Sequence, residues 1–386
     1  MKIYLKNTIF LLIIVCLLIS IIIHPEVSLK SAYDGLTTWF NIVLPSLLPF
    51  FIISELLIEI GFVNILGNTL KPIVGPLFKV SGESAFPFAM SIISGYPVGA
   101  KITSSLREKN IISKTEGERT LSFSSTSGPL FMLGAVSIGI LGNGKIAPLI
   151  MYPHYLGAIT VGIAFKFYKN KEKPVYRKNN ISSIYNSLNK NYSIGTALSN
   201  AVINSINTIL LVGGFIIFYS VLTELIFVSN IFNRFLNHIP LNLNIELLKA
   251  LLAGLLEVTT GVKKIASLKI KLIYKLVIIN FLIGWSGFSI HSQALSFISK
   301  TDMNGKLYIL SKLLHGIFSS IYTGILYTIK YKEYIEPSFL PAPFHEFYFI
   351  GHWPIIFLNS LKIIILAILY MIIISAILMV IYKIIE

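Results

Sequence analysis

Four short stretches place polar and conformationally permissive residues inside otherwise apolar sequence. Ser94-Gly-Tyr-Pro-Val-Gly-Ala-Lys101 interrupts an apolar segment that begins at Phe86, and Ser125-Thr-Ser-Gly-Pro129 opens the apolar run that ends at Leu141. Downstream stand Glu257-Val-Thr-Thr-Gly-Val-Lys263 and Gly284-Trp-Ser-Gly-Phe-Ser289. Proline removes a backbone donor and clashes with the preceding helical turn, while glycine turns without a steric penalty. In hydrocarbon the freed N–H and C=O groups are tolerated only where they face protein or a water-filled cavity. Breaks of this composition at membrane depth predict a binding site built from discontinuous helices. The plainer alternatives are a proline kink with ordinary packing and, for the serine-rich stretch, an N-cap at the membrane surface.

The candidate binding residues are those of the breaks themselves: Ser94, Gly95, Tyr96, Gly99 and Lys101, then Ser125, Thr126 and Ser127. The downstream set is Glu257, Thr259, Thr260, Lys263, Ser286, Ser289 and Gln293. Pro129 suits the first turn of a half-helix, whose free N–H groups beside Ser125, Thr126 and Ser127 can hold an anion. Glu257, a carboxylate inside an apolar segment, is a candidate proton or cation partner; an ion pair with Lys263 is the structural alternative.

The elements that must carry these residues are membrane helices. Of 386 residues 54% are hydrophobic and only 13% charged, with a mean hydropathy of +0.76; soluble domains carry about twice that share of charge. Apolar runs of roughly twenty residues recur along the chain, which makes it polytopic and helical, in contact with the lipid bilayer. The net charge of +15 does not point to nucleic acid, because the basic residues sit in short loops beside apolar spans, as the positive-inside rule expects. The single cysteine, Cys16, excludes a disulfide framework. The histidines are scattered without metal-ligand spacing, and no cofactor is implied.

In chain order, residues 1–30 read as an uncleaved first helix with a cytoplasmic N-terminus, closed by His24-Pro25. A span over 40–60 holds Pro45, Pro49 and Glu55, expected to face the bundle interior. Residues 62–80 fit an amphipathic segment. The broken segment 84–105 has basic flanks on both sides, which favours re-entry from the cytoplasm. A span over 146–167 contains His154, and the basic stretch 169–193 reads as a cytoplasmic linker. The chain closes with an aromatic-rich interfacial stretch and an apolar helix within 330–386.

The second half repeats the first at an offset of roughly 160 residues. The span at 207–228 answers 40–60; the stretch at Glu257 answers that at Gly95; Asn280 to Phe288 answers Phe123 to Pro129; and His315 answers His154. Two repeats, 34–168 and 194–329, follow. If the first broken segment is re-entrant, the first half crosses three times and the second is inverted, as in many secondary transporters. That arrangement puts Lys263, Lys264, Lys269, Lys271 and Lys275 outside, against the usual lysine bias, so whether 246–267 crosses or re-enters stays open.

Together, Leu44-Pro-Ser-Leu-Leu-Pro-Phe, Ser94-Gly-Tyr-Pro-Val-Gly-Ala-Lys, Ser127-Gly-Pro, Pro153-His-Tyr-Leu-Gly, Leu256-Glu-Val-Thr-Thr-Gly and Ser286-Gly-Phe-Ser-Ile-His resemble the sporulation integral membrane protein YlbJ (SpoVV) family over almost the whole chain. The resemblance implies two nucleoside-recognition Gate domains, similar in plan to concentrative nucleoside transporters. It also implies transport of dipicolinic acid during endospore formation, in the forespore outer membrane, with a coupling ion or proton and a homo-oligomer as possible partners. Dipicolinate, a planar pyridine with two carboxylates, needs donors and positive charge in a dry site. Broken-helix N–H groups, hydroxyls and Lys101 or Lys263 would supply them, with Tyr96 or Trp285 stacking on the ring. A nucleoside would want amide and carboxylate partners, for which Glu257, Gln293 and Asn280 are available.

Two readings of other classes compete. Gly284-Trp-Ser-Gly287 matches the Gly-x-Ser-Gly pattern of rhomboid-type intramembrane serine peptidases, with His291, His315 or His352 as base. In a purely structural membrane protein the breaks would be packing features only.

Overall fold

The computed structural model of the chain describes residues 2–59, 62–169, 171, 194–228 and 245–331, and these form helices and turns without a strand. The linker expectation for 169–193 falls mostly outside the described residues. So do the interfacial stretch, the closing apolar helix and His352.

The first apolar run forms α1 (Lys2–Ile23) and stops where Pro25 would remove a helical donor. Pro25 then occupies the first turn of α2 (Pro25–Thr38), where its missing N–H costs nothing. The chain bends by 102° between Leu11–Ile23 and Pro25–Asn41. A π-helical turn (Trp39–Val43) leads from α2 directly into α3 (Leu44–Glu59). The helix therefore begins well before residue 40, and Pro45 and Pro49 are exposed rather than turned inward. Glu55 is the inward group of this helix: it pairs with Lys101. The segment expected to be amphipathic forms α4 (Phe62–Phe78).

Next come α5 (Ala85–Ser94) and α6 (Val98–Glu108), separated by the Gly95 break, then α7 (Lys114–Phe123). After an irregular stretch over 124–129, a π-helical segment (Leu130–Ile140) completes the second broken helix. The long helix α8 (Ala147–Phe165) follows. The second half opens with α9 (Ile194–Val228), longer than the 207–228 expected. It continues with α10 (Ile245–Leu256) and α11 (Val258–Ser267), broken at Glu257, and with α12 (Leu272–Trp285) and α13 (Gly287–Ile298), broken at Ser286. The last described helix is α14 (Gly305–Leu326). Among the described residues, four helical stretches are long and apolar enough to cross a membrane: Gly144–Phe165, Ile194–Val228, Leu272–Ile298 and Gly305–Ile329.

Helices α8, α12 and α14 pack together at the centre. Small residues let their backbones approach, as is usual between membrane helices. A Cβ at Gly284 would lie 2.6 Å from Gly316 Cα, and one at Gly157 would lie 2.6 Å from the Ser319 hydroxyl. On the flank, α2 and α3 pack against α9, where Trp39 lies over Gly213 and donates from Nε1 to the Ile209 carbonyl at 3.0 Å.

One end of the bundle is tied by charged groups. Ser113 and Glu116 cap α7 reciprocally, and Glu116 also accepts the Ser81 N–H at 3.0 Å. Glu118 accepts the Asn304 N–H and the Tyr168 hydroxyl, each at 3.1 Å. Arg119, almost fully buried, donates to the carbonyls of Lys79, Tyr168 and Lys169 at 2.7–3.1 Å. Arg107 forks onto Asp302 at 2.8 and 3.1 Å, and this guanidinium holds the exposed Asp302 carboxyl below its usual range. The residues just before α5 and those ending α6 are thus fastened to the same 112–119 segment, so this broken pair is a hairpin with both ends at one face and its tip inside.

Arg119→Lys tests this fastening. A lysine cannot reproduce a fork that reaches three carbonyls on two chain segments. Each charged hydrogen bond lost should cost about 1.5–3 kcal/mol, read as a lower thermal unfolding midpoint of the detergent-purified protein than that of Lys109→Gln on the exposed loop.

Candidate functional site

The breaks of each half meet backbone to backbone. Gly95 has φ +80°, and a Cβ there would lie 2.9 Å from the Gly128 N, so the tip of the first hairpin rests on the irregular stretch before the π-helical segment. A Cβ at Gly99 would fall on the Ser124 carbonyl. In the second half a Cβ at Gly287, whose φ is +78°, would lie 3.1–3.2 Å from the Leu256 carbonyl, the Val258 N and the Gly254 carbonyl, and a Cβ at Gly261 would run into Gly254. Ser286 itself stands in the left-handed region at φ +79°. Glycine at these contacts removes the side chain that would hold the breaks apart.

Between the two pairs lies a partly open cavity of about 60 Å³. Eight of the candidate binding residues line it: Ser94, Gly95, Tyr96 and Ser127 from the first half, Glu257, Thr259, Ser289 and Gln293 from the second. Its walls are apolar, made by Val43, Gly128, Phe131, Val212, Ile216, Val258 and Ile290. Few polar groups on apolar walls is the usual make-up of a small-molecule site.

The polar groups differ in what they have left to offer. Both oxygens of Glu257 accept from the start of its own helix, Thr259 N–H at 3.0 Å and Thr260 N–H at 2.6 Å. The carboxylate thus occupies the anion site that the α11 N-terminus provides. Another broken-helix donor, the Ser127 N–H, is taken by His154 Nε2 at 2.8 Å. The Tyr96 hydroxyl donates to the Ile283 carbonyl and lies beside the hydroxyls of Ser127 and Ser286. Among the described residues the buried Ser289 hydroxyl has no hydrogen-bond partner, and Gln293 lines the cavity beside it.

Seven candidates lie off the cavity. Lys101 pairs with Glu55 and reaches Thr208 at 3.3 Å; Lys263 donates to Thr38 at 2.8 Å. Both lysines hold hairpin helices to neighbours, and neither lines the cavity. The anticipated Glu257–Lys263 pair is replaced by the Glu257 cap. Thr126 shares a 2.9 Å hydrogen bond with Ser91, Ser125 contacts the Tyr308 hydroxyl at 3.1 Å, and Thr260 serves through its N–H. Gly99 is a packing position. The Ser286 hydroxyl reaches the Gly284 carbonyl at 3.5 Å and lies beside the Tyr96 hydroxyl. Its two described candidate bases are turned elsewhere: His291 Nε2 meets the Trp285 carbonyl and His315 Nε2 the His154 carbonyl, each at 2.7 Å. Trp285 donates to the Leu255 carbonyl at 3.1 Å, and Asn280 donates to the Leu149 carbonyl at 2.8 Å, outside the cavity lining.

Two features of the site lie outside the candidate set. His154 and His315 lie with ring centroids 4.4 Å apart and planes tilted by 37°, joining α8 to α14 behind the breaks. Lys312, one turn before His315, is fully buried; its ammonium donates to the Ser125 carbonyl at 2.6 Å. The signal in the sequence was a lysine within an apolar helix with a histidine three residues on.

Comparison with known proteins adds three findings. The family model for Gate, described as nucleoside recognition, matches residues 40–144, which hold the first hairpin and the Ser125–Pro129 break. The chain is 36% identical over 338 residues to the sporulation integral membrane protein YlbJ of Bacillus subtilis (strain 168), covering 82% of each. It is 27% identical over 153 residues, 38% of this chain and 31% of the other, to an uncharacterized protein of Alkalihalophilus pseudofirmus. No solved structure matches it.

Gly99→Ala should separate the two breaks, because its methyl would displace the Ser124 carbonyl; overpacking of this kind costs about 1–3 kcal/mol or more. Gly214→Ala, in α9 with open space around it, is the control. The first should lower the recovery and unfolding midpoint of purified protein, the second should leave both unchanged.

Proposed function

This chain belongs to the family of sporulation integral membrane protein YlbJ, and on that premise we propose that it is a membrane transporter that binds a small polar solute in the cavity between its four helix breaks. The observation that carries the reading is the convergence of Ser94–Tyr96, Ser127, Glu257–Thr259 and Ser289–Gln293 on one cavity inside an apolar bundle. A purely structural role gives no reason for polar residues of four separate breaks to line one cavity.

Dipicolinate, the solute that the resemblance implies, is the first candidate. The apolar walls suit a flat ring, and Ser289, Gln293 and Ser127 offer donors for carboxylate oxygens. Among the described residues no lysine lines the cavity, so the positive charge assigned in sequence to Lys101 or Lys263 has to come from elsewhere. A specific observation favours a second candidate, a nucleoside. Glu257 lines the cavity, where its spare lone pairs suit sugar hydroxyls and repel a carboxylate, and the matched family model is one of nucleoside recognition.

An inverted pair of repeats, 34–168 and 194–329, like that of concentrative nucleoside transporters, goes with this proposal. The order of elements supports it: a broken hairpin, a broken helix and a long helix recur in each half. The anchoring of the hairpins also supports it. The first is fastened beside Asn304, whereas α11 ends near Ala266, which accepts from Lys275 at the start of the 27-residue stretch that leads to the Asn304 end. The forespore outer membrane and a cytoplasmic N-terminus belong to the same proposal.

Uptake into proteoliposomes tests it, with labelled dipicolinate and labelled uridine measured side by side. Dipicolinate uptake above empty liposomes, reduced about tenfold or more by Gln293→Ala and Ser289→Ala and unchanged by Lys109→Gln, is the expected result. Uridine uptake abolished by Glu257→Gln would assign the second candidate. Uptake of neither solute would overturn the transport reading for these solutes.

A further inference from the structure

Lys312 is a buried lysine with no carboxylate partner among the described residues. It is 1% exposed, about two turns into α14, and none of the ion pairs among the described residues includes it. Its ammonium donates to the Ser125 carbonyl at 2.6 Å, contacts His315 Nδ1 at 3.2 Å and lies 5.2 Å from the centroid of the Tyr96 ring. A buried charge without a counter-charge is costly, and it persists only where dipoles replace water. Here those dipoles are supplied. Ser125 follows the last turn of α7, so the ammonium sits at the negative end of a half-helix, and the Tyr96 ring adds a π-face.

Oxygen atoms of an unwound stretch at a half-helix C-terminus are what broken-helix transporters use to hold a coupling Na⁺ or H⁺. We propose that the Lys312 ammonium fills such a cation position permanently, so that the protein carries its own cation and needs no dissolved alkali cation to assemble its first pair of breaks. The neighbouring hydrogen bonds agree with this assignment. The His154 carbonyl can only accept, so His315 Nε2 must be the protonated nitrogen. His315 Nδ1 is then a lone-pair acceptor turned toward Lys312, the orientation that a resident cation requires. Other ionisable side chains around the ammonium are Tyr96 at the hairpin tip, His154 of α8, His291 of α13 and Tyr308 of its own helix. No carboxylate is among them. Under the transport reading given above, on which this last consequence rests, solute movement would be independent of a Na⁺ gradient.

The test needs no solute, so it stands apart from the transport assay. The unfolding midpoint of the detergent-purified full chain is measured in equal concentrations of choline, sodium and ethylammonium chloride, for wild type, Lys312→Ala and Lys312→Met. Wild type should be equally stable in all three. Lys312→Ala should be destabilised in choline and regain several degrees in ethylammonium or sodium, because a small cation that binds only the folded state raises its stability. Lys312→Met, whose side chain fills the space, should be destabilised in every salt without such rescue. If Lys312→Ala cannot be purified in choline, extraction in ethylammonium or sodium should recover it; failure in every salt overturns the proposal. So does a wild type stabilised by sodium over choline, a Lys312→Ala variant indifferent to the cation, or a Lys312→Met variant as stable as wild type.

Discussion

A helix interrupted in an apolar surrounding must find partners for the backbone groups it frees, and this requirement governs the molecule. The interrupted helices approach one another backbone to backbone. Gly95 lies on Gly128, Gly99 under the Ser124 carbonyl, and Gly287 against Leu256 and Val258. The freed groups are taken by a few long side chains: Tyr96 reaches Ile283, Trp285 reaches Leu255, and His154 takes the Ser127 N–H. The cavity is what remains between these mutually supporting pairs. Its walls are therefore set by backbone contacts that leave little latitude for substitution.

The contacts also explain why the halves cannot be understood separately. Tyr96 of the first half bonds to a carbonyl of α12, Lys263 of α11 bonds to Thr38 of α2, and Trp39 bonds to a carbonyl of α9. Each half closes its neighbour's exposed polar groups. The Gate match, by contrast, covers 40–144, which contains only half of the residues that line the cavity's polar side.

Much of this was legible in the sequence, for a definable reason. Glycine, proline and hydroxyl residues inside apolar runs betray a break whatever the tertiary context, so the positions of all four interruptions could be read directly. Eight of the fifteen candidates line the cavity for the same reason. Side-chain direction was not legible. Lys101 follows the first break by about one helical turn, yet its ammonium goes to Glu55, a residue 46 positions earlier. Glu257 was open to a lysine partner until the fold showed that its own helix start accommodates both oxygens. Lys312 was passed over because a single lysine in a long helix reads as an interfacial residue unless its depth is known. The extent of α2 and α9 was missed for a different reason: polar helix ends extend beyond the apolar runs by which spans are recognised.

The histidine pair at the centre has a consequence of its own. His154 of α8 and His315 of α14 face each other, but their imidazoles carry opposite duties. His154 receives the Ser127 N–H on Nε2, while His315 gives its Nε2 proton to the backbone carbonyl of His154. The two rings therefore exist as different tautomers in contact, a polarity that a strictly symmetric arrangement forbids. A pair of identical half-length chains brought together about a two-fold axis would have to give both histidines the same proton placement, and one of these hydrogen bonds would be lost. Joining the halves in one chain is what allows the contact to be one-directional, with an amide donor on one side and an ammonium on the other.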